Sequence, residues 1–147
     1  MSLTLSTGLA NKLLDTGSLK TVMTGASGFQ IDICSGSKPA TADAAETGTL
    51  LVTILQAGLG LHFAAAAASA ALAKLGSEVW QSNVAMAGVA GWFRMRPVGD
   101  ATGLSTTLAR IDGTVGTSGA DMNLSDVNCV TGAPVAIGTF SLALPQS

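Results

Sequence analysis

The strongest constraint on the fold is a pair of strand-like runs joined by a polar connector. In the first run Phe29, Ile31 and Ile33 alternate with polar or small residues, which is the period-two pattern of a strand with one buried face. The turn-forming residues Ser-Gly-Ser-Lys-Pro follow, and an apolar, β-branched run resumes at 50–55. We therefore expect two neighbouring strands here, with the rest of the chain arranged around them.

Further strand-like runs follow, separated by Gly, Pro, Asn and Asp. They lie at 79–95, 104–115, 122–124, 127–130 and 135–144. In the last run the apolar phase shifts at Gly138, where a β-bulge is expected. Many short strands without a regular alternation of strand and helix favour antiparallel sheets. The predicted fold is mainly β, an antiparallel β-sandwich of jelly-roll type with a short N-terminal helix.

The first 24 residues have a different pattern, that of a short amphipathic helix. A Ser-Thr pair that can cap a helix precedes Leu9 and Leu13 at helical spacing, and an Asp-Thr-Gly stop follows. Two interpretations stay open: a helix docked on the core of its own chain, or an arm that packs on a neighbouring subunit. The predicted organisation is a helical arm at 1–24 and a β-sandwich domain at 25–147.

The alanine-rich run at 62–75 leaves helix and strand open. Alanine has the highest helix propensity, but the run has no amphipathic contrast, and small residues also suit strands packed closely against another surface. The overlapping segment 59–75 is the only candidate in the sequence for a membrane span. Because it contains His62, Ser69 and Lys74, we expect no membrane-spanning segment.

The charge content narrows the range of partners. Only 11% of residues are charged, nine acidic and seven basic, and the net charge is −2. Binding to nucleic acid needs clustered Lys and Arg, so no direct nucleic-acid partner is expected. With 48% hydrophobic residues, the chain must expose apolar surface, which usually marks contact with other subunits. The composition therefore predicts that the chain buries part of its surface against other subunits.

No residue pattern in the chain is typical of catalysis or metal binding. His62 is the only histidine, and Cys34 and Cys129 lack the spacing of metal ligands. The glycine-rich run at 113–119 lacks the Lys-Ser/Thr ending of a phosphate loop. The two cysteines are predicted to be buried thiols, although a disulfide between them stays open. We expect no enzyme activity, no metal and no cofactor.

One strand carries the best candidate contact surface. Trp92, Arg94 and Arg96 share one face of it, and Phe93 and Met95 share the other. Aromatic residues and arginine often anchor interfaces, although a core tryptophan with two solvated arginines is the alternative. If the surface hypothesis holds, Trp92→Ala or Arg94→Ala should weaken attachment to a partner more than folding. The interface candidates are Trp92, Arg94, Arg96, Leu9 and Leu13.

Several segments, in the same order along the chain, resemble small virion structural proteins of tailed bacteriophages. They are STGLANKLL at 6–14, GSLK at 17–20, ICSGSKPA at 33–40, ADAAETGTLL at 42–51, GWFR at 91–94, IDGTVG at 111–116 and DMNL at 121–124. The chain departs from that pattern at Cys34, where an aromatic residue is expected, and in the alanine run at 64–68. In the similar proteins the segment before Gly-Trp-Phe-Arg consists of strands, which favours strands at 62–75.

The resemblance implies a jelly-roll decoration or cement protein on the capsid exterior. Its partners would be the major capsid protein and further copies of itself in a dimer or trimer, and it would be synthesised in the cytoplasm of the bacterial host. The family implies no reaction, cofactor or catalytic residue. Two alternatives remain: a tail, neck or fibre-associated subunit of the virion, and a carbohydrate-binding β-sandwich that uses Trp80 or Trp92 as a stacking platform.

Overall fold

The structure is a computed structural model that describes residues 3–65 and 68–143. Its elements are, in chain order, β1 (Thr4–Leu5), α1 (Thr7–Asp15), α2 (Leu19–Thr24), β2 (Phe29–Ser35), β3 (Leu50–Ile54), β4 (Ala71–Ala73), β5 (Trp80–Asn83), β6 (Gly88–Pro97), β7 (Ile111–Gly116), β8 (Met122–Asn123), β9 (Asn128–Cys129), β10 (Pro134–Ile137) and β11 (Ser141–Ala143). The fold is mainly β with antiparallel sheets and two short helices, which confirms the predicted class.

The largest sheet contains the predicted strand pair. Its strands lie in the order β1-β7-β6-β2-β3, each antiparallel to its neighbour. Strand β8 adds to β7 in parallel, and β9 adds to β6. Two separate pairs, β10 with β5 and β11 with β4, complete the strands. The long strand β6 is the centre of the large sheet, because it pairs with β2, β7 and β9.

One face of the large sheet carries the apolar core. Ile31 lies opposite Met95 and Ile33 opposite Phe93, and all four side chains are buried. Because side chains alternate between the faces of a strand, this register places the apolar residues of β2 and β6 together. The residues that alternate with these four, including the charged ones, therefore face away from the core.

Aromatic rings connect the large sheet to the segments that cover it. Phe29 of β2 stacks on Phe63, with ring centroids 4.6 Å apart, and meets the edge of Trp80 at 5.4 Å. Phe140 contacts Trp80 at 5.8 Å and Phe93 at 6.2 Å. Large aromatic side chains bury much apolar area and favour edge-to-face or offset packing. The two smaller strand pairs are thereby packed on the apolar face.

The N-terminal segment is docked on its own chain. Strand β1 pairs with β7 at one edge of the large sheet. Ser6 caps helix α1 by accepting the Leu9 N–H at 3.1 Å, and Leu9 is fully buried in the core. Gly8 lies so close to the next segment that a Cβ atom would meet the Thr107 carbonyl carbon at 2.3 Å. The structure therefore agrees with the first interpretation, a helix docked on the core of its own chain.

Within the described part of 62–75 there is no helix, and residues 66 and 67 lie outside the description. Strand β4 forms at its end, and Ser69 and Ala70 have φ of 51° and 58°, the left-handed pair typical of a tight hairpin turn. The Lys20 ammonium donates to the carbonyls of Ala64 at 2.9 Å and Ala65 at 2.7 Å. Tertiary hydrogen bonds thus outweigh the helix propensity of alanine.

The strand predicted at 104–115 begins only at Ile111. Before it, the Ser105 hydroxyl accepts the N–H groups of Thr107 and Leu108, each at 3.2 Å. Serine in this position offers the backbone a local alternative to a sheet. The first half of the predicted strand is therefore a loop.

Two other long runs are also divided. The run at 79–95 forms β5 and β6 with a connection between them. The run at 135–144 forms β10, which pairs with β5, and β11, which pairs with β4. Gly138 lies between these strands, so its predicted role as a β-bulge in one continuous strand is wrong. The shift of apolar phase at this glycine reflects a change of partner strand. Leu144, the last residue of that run, lies outside the described residues.

Candidate functional site

The face of the large sheet opposite the core carries a row of alternating charges. The strand register sets Asp32 of β2 beside Arg94 of β6, and Arg94 beside Asp112 of β7. Opposite charges directly across neighbouring strands stabilise a sheet. All three side chains are almost fully buried, so this row lies inside the protein.

Arg94 is the centre of the row. Its Nε and Nη2 atoms donate to the two carboxylate oxygens of Asp112, each at 2.7 Å. Its Nη1 atom donates to Glu46 Oε1 at 2.8 Å and to the Ala44 carbonyl at 3.0 Å. The planar guanidinium matches the fork of a carboxylate. One arginine thus binds β7 and the connector between β2 and β3 at the same time.

Arg96 forms a second ion pair on the same face. Its Nε atom donates to Asp32 Oδ2 at 2.7 Å, and its Nη1 atom donates to the Asp100 carbonyl. The other oxygen of Asp32 accepts from Gln30 Nε2 at 2.9 Å and from the Thr53 hydroxyl at 2.7 Å. The carboxylate of Asp32 is therefore satisfied by groups from three strands, β2, β3 and β6.

Two acidic residues of the connector bind other segments to this face. Glu46 Oε2 accepts the Gly103 N–H at 2.8 Å, while its other oxygen binds Arg94. Asp43 accepts from the Thr7 N–H at 2.7 Å and the Thr7 hydroxyl at 2.5 Å, and its carbonyl accepts the Ser105 N–H at 2.8 Å. The connector at 36–49, the loop at 98–110 and helix α1 are thereby held together on the sheet.

Arg110 is the third buried arginine, and it has no hydrogen bond to a carboxylate within the described residues. Its Nη1 and Nη2 atoms donate to the carbonyls of Gly103 at 2.6 Å and Ala101 at 3.0 Å. Its Nε atom has no hydrogen-bond partner in the described part of the chain. Its backbone N–H donates to the Ser6 hydroxyl at 2.9 Å. Arg110 thus fixes the path of the loop that covers the charged face.

The pKa values follow from this arrangement. Burial raises the pKa of Glu46, but hydrogen bonds from the Gly103 N–H and from Arg94 outweigh burial, so the pKa lies below its ordinary 4.5. Burial lowers the pKa of Arg94, and the hydrogen bonds and charge of Asp112 outweigh it and raise that pKa. Burial, followed by the nearby charge of Arg94, lowers the pKa of Arg110. Burial raises the pKa of Asp112, and it outweighs the hydrogen bonds and the charge of Arg94, which lower that pKa.

Trp92 lies on the charged face, as the sequence predicted, but it is fully buried. Its indole N–H donates to the Thr47 carbonyl at 3.2 Å, and its ring centroid lies 5.5 Å from Arg94 Cζ, a cation–π distance. Cys34 is its neighbour on β2, and burial raises the pKa of the Cys34 thiol to about 12. Both Cys34 and Cys129 are unpaired and buried, as the thiol interpretation predicted.

The interface candidates from the sequence are mostly inside the chain. Trp92, Arg94 and Leu9 are fully buried, and Arg96 is 9% exposed. This corrects the expectation of an exposed aromatic and cationic face, and it also excludes the alternative of two solvated arginines. The physical reason is that the connector and the loop cover that face. Leu13 is half-buried against the core, so a contact role stays a prediction for its exposed part.

Sequence reasoning did not identify the acidic half of this network. Asp32, Asp112 and Glu46 accept the arginine hydrogen bonds, but nothing in the sequence pattern assigned them as partners. A usable signal was present: Asp32 lies at a polar position of a predicted strand, and a carboxylate that becomes buried there needs a cation opposite it. For that reason, the strand residues Asp32 and Asp112 could have been assigned as partners of the strand arginines Arg94 and Arg96.

A smaller polar cluster surrounds His62. Its Nδ1 atom lies 2.7 Å from Glu78 Oε1, and Glu78 Oε2 accepts from the His62 N–H at 2.9 Å and from Trp80 Nε1 at 2.8 Å. Burial raises the pKa of Glu78, but these hydrogen bonds outweigh burial and lower it. Lys74 donates to the Glu78 carbonyl. His62 thus holds two loop segments together.

Within residues 3–65 and 68–143, no group of three or more His, Cys, Asp or Glu side chains could hold a metal ion. None of the helices in this part of the chain combines the length and the apolar character that crossing a membrane requires.

Comparison of the chain with protein-family models, with curated proteins and with solved structures found no match.

Proposed function

We propose that this chain is a non-enzymatic structural protein of a tailed-bacteriophage virion, and that it serves as a capsid decoration, or cement, protein. It would be made in the cytoplasm of the bacterial host and would bind the capsid exterior. Its partners would be the major capsid protein and other copies of itself. The segments that resemble small phage virion proteins motivate the proposal, and the properties of the surface support it.

The observation that carries the proposal is the number of large apolar side chains that remain exposed. Nine of them are exposed in the described residues: Leu5, Leu14, Leu50, Leu59, Val79, Met86, Val89, Leu104 and Val130. Only 11% of the residues of the chain are charged. Contiguous exposed apolar surface is typical of protein–protein contacts. A subunit that spans joints of a shell would bury such residues on assembly.

The charged network adds a second argument, which concerns rigidity. Because Arg94 and Glu46 hold the connector and the loop on the sheet, little backbone freedom remains to be lost when the protein binds. Preorganised surfaces bind more tightly for this reason. We further propose that the large sheet and the two strand pairs on its apolar face form a sandwich of jelly-roll type.

The proposed mechanism is stabilisation by mass action. A partner that binds only the assembled shell lowers the free energy of that state by RT ln(1 + [L]/Kd). No direct contact with the packaged DNA is proposed. Three of the seven basic residues are buried arginines, and Lys20 and Lys74 donate to backbone carbonyls of their own chain. The remaining cations are too few for a nucleic-acid footprint.

The test is the copy number of the chain in purified particles, measured by quantitative mass spectrometry against the major capsid protein. A decoration role requires a ratio near one or a simple fraction of one. A handful of copies per particle would overturn the cement mechanism and favour the tail, neck or fibre alternative. Absence from the particle would overturn both. Particles lacking the chain should also release DNA at lower temperature than particles to which purified protein has been added back.

The carbohydrate-binding alternative receives no support from the tryptophans. It requires an exposed ring on which a sugar can stack, whereas Trp80 and Trp92 are 1% and 0% exposed. Both indole N–H groups also donate to protein oxygens, those of Glu78 and Thr47. We therefore do not propose this function.

A further inference from the structure

The loop at 98–110 contains a segment in which no side chain is buried. We name this segment, residues 99–104, the strap. All six of its residues are exposed or half-buried, and Leu104 is 78% exposed. The hydrophobic effect stabilises a segment through the apolar area that it removes from water. It therefore contributes little to holding the strap on the protein, and hydrogen bonds have to do so.

Charged side chains of the buried network make these hydrogen bonds, and they bind backbone atoms of the strap. The four bonds run from Arg96 to the Asp100 carbonyl, from Arg110 to the Ala101 carbonyl at 3.0 Å and to the Gly103 carbonyl at 2.6 Å, and from the Gly103 N–H to Glu46 at 2.8 Å. The strap is thus held on the molecule mainly by two arginines and one glutamate.

The backbone on both sides of the strap is held by other groups. Before it, the Val98 N–H donates to the Gly28 carbonyl at 2.9 Å. After it, the Ser105 N–H donates to the Asp43 carbonyl at 2.8 Å, and Ala109 is fully buried. The strap can therefore move while the segments that flank it stay in place.

The connector at 36–49 lies on the same face of the sheet but is anchored differently. Ala42 is fully buried in the core, and Pro39 is buried as well. Moving the connector would therefore expose apolar area, which opposes the motion. Of these two covering segments, the strap is the one that can leave the sheet without this cost.

Two glycines permit the backbone path of the strap. Gly99 and Gly103 have φ of 90° and 89°, in the left-handed region that other residues adopt only at a cost in free energy. Around both glycines, no heavy atom of the described residues, apart from the glycine and its chain neighbours, lies within 4 Å of the place where a Cβ atom would be. Alanine at either position would therefore strain the closed strap without striking another part of the protein.

We propose that the strap is a lid that opens and closes while the large sheet stays folded. The closed form is dominant, because hydrogen bonds to charged groups are stronger than those between neutral groups. Opening is nevertheless accessible as a minor state, since it returns backbone freedom to six residues, exposes no apolar core and lets water replace the lost partners.

Opening should affect the buried arginines unequally. Arg110 loses both of its carbonyl partners in the strap and becomes accessible to solvent. Arg94 stays covered, because its partners Asp112, Glu46 and Ala44 all lie outside the strap. The difference between these two side chains therefore reports opening of the lid, whereas global unfolding exposes both.

The first measurement is modification of arginine by phenylglyoxal in the native wild-type protein, with peptide mapping by mass spectrometry. Arg94 and Arg110 are both 0% exposed, so neither reacts while the strap is closed. If the strap opens, Arg110 should react at least about tenfold faster than Arg94. Equal rates, or no reaction at either residue, would overturn the proposal, since Arg110 would then become accessible only when Arg94 does.

Gly103→Ala tests whether the strap controls access to Arg110. Because alanine is strained at this φ, the variant should favour the open form and raise the rate at Arg110 about tenfold, with no change at Arg94. Gly58→Ala is the matched control: Gly58 has φ of 81° and equally open surroundings, but it lies in the hairpin at 56–59. It should leave the rate at Arg110 unchanged. An unchanged rate in Gly103→Ala, or an equal rise at both arginines, would contradict the lid.

Amide hydrogen exchange gives an independent readout on the isolated protein. Peptides that span 99–104 should exchange faster in Gly103→Ala than in the wild type, while peptides of β6 and β7 should exchange at the wild-type rate. Gly99→Ala makes the same change at the other end of the strap and should give the same result, so the test does not depend on one variant folding. Acceleration along the whole chain would mean that the strap opens only by global unfolding. Neither result depends on the proposed virion role.

Discussion

Replacing Arg94 with methionine should destabilise the isolated protein strongly. The guanidinium is fully buried and makes four hydrogen bonds, two of them to Asp112, which is itself fully buried. Methionine retains much of the volume and removes the charge. Asp112 would then be a buried carboxylate without a cation beside it. This expectation replaces the earlier hypothesis that a change at Arg94 weakens attachment to a partner more than folding.

The magnitude follows from the burial of both groups. Removing one partner of a buried ion pair costs about 3–5 kcal/mol, whereas an exposed pair contributes about 0–1 kcal/mol. With a urea m-value of about 2 kcal/mol/M, a loss of about 4 kcal/mol lowers the unfolding midpoint by about 2 M. That is a large part of the roughly 5–15 kcal/mol that stabilises a typical domain.

The assay is urea unfolding of the isolated protein, followed by tryptophan fluorescence and circular dichroism. The double variant Arg94→Met/Asp112→Leu isolates the pair, because it removes both charges. It should be more stable than the sum of the two single changes predicts, by about 2 kcal/mol or more. Lys12→Met is the control, since Lys12 is an exposed cation on α1 and should change the free energy of unfolding by less than about 0.5 kcal/mol.

Two results would refute this reasoning. A loss of less than about 1 kcal/mol for Arg94→Met would mean that the pair behaves as an exposed one. Additive losses in the double variant would mean that Arg94 and Asp112 do not depend on each other.

Three further predictions test other parts of the structure. Ser6→Ala should lower the free energy of unfolding by about 1–2 kcal/mol, because the Ser6 hydroxyl caps α1 and accepts the Arg110 N–H. Ser18→Ala, at the exposed cap of α2, is the control and should lower it by less, and equal losses in urea unfolding would contradict this prediction. The pKa of Glu46 is lowered from 4.5, so its contribution to stability is present above pH 4.5 and disappears as the pH falls through the folded-state pKa; thermal unfolding of Glu46→Gln between pH 7 and 3 should show a smaller acid loss than the wild type, and parallel curves would argue against it. The Cys34 thiol, whose pKa is raised to about 12, should resist iodoacetamide at pH 8 until urea unfolds the protein; rapid labelling of the native state, detected by mass spectrometry, would show that it is accessible.

The local sequence pattern was sufficient to predict the structure wherever residues adjacent in the chain decide it. The alternation from Phe29 to Ile33 and the helix cap in the Ser-Thr pair at 6–7 each appear in the fold as predicted. Such features depend on backbone geometry within a few residues, namely side-chain alternation along a strand and the unpaired N–H groups at a helix start. The same local logic separated Phe93 from Trp92 correctly.

The long apolar runs were harder to predict correctly, because a strand forms only where it can pair with another strand. Nothing in the apolar pattern at 135–144 indicates that its first part pairs with β5 and its second part with β4. At 104–110 no strand forms, because the Ser105 hydroxyl accepts backbone hydrogen bonds there instead. Pairing between residues distant in the chain decides both outcomes. Propensity is therefore a weak guide there.

By itself, the sequence determined the β class, the presence of a short helix at the N-terminus, and the faces on which the residues of β2, and those of β6 from Gly91 onward, lie. Only the tertiary structure decided what covers the charged face of these strands, which lies opposite the core. Asp43 and Glu46 come from the connector, and Gly103 from a loop that lies more than fifty residues further along the chain. Their contacts bury Arg94 and Trp92, which a strand pattern alone leaves open to solvent. The physical reason is that burial and ion pairing depend on positions in space, whereas periodicity reports only the neighbours along the chain.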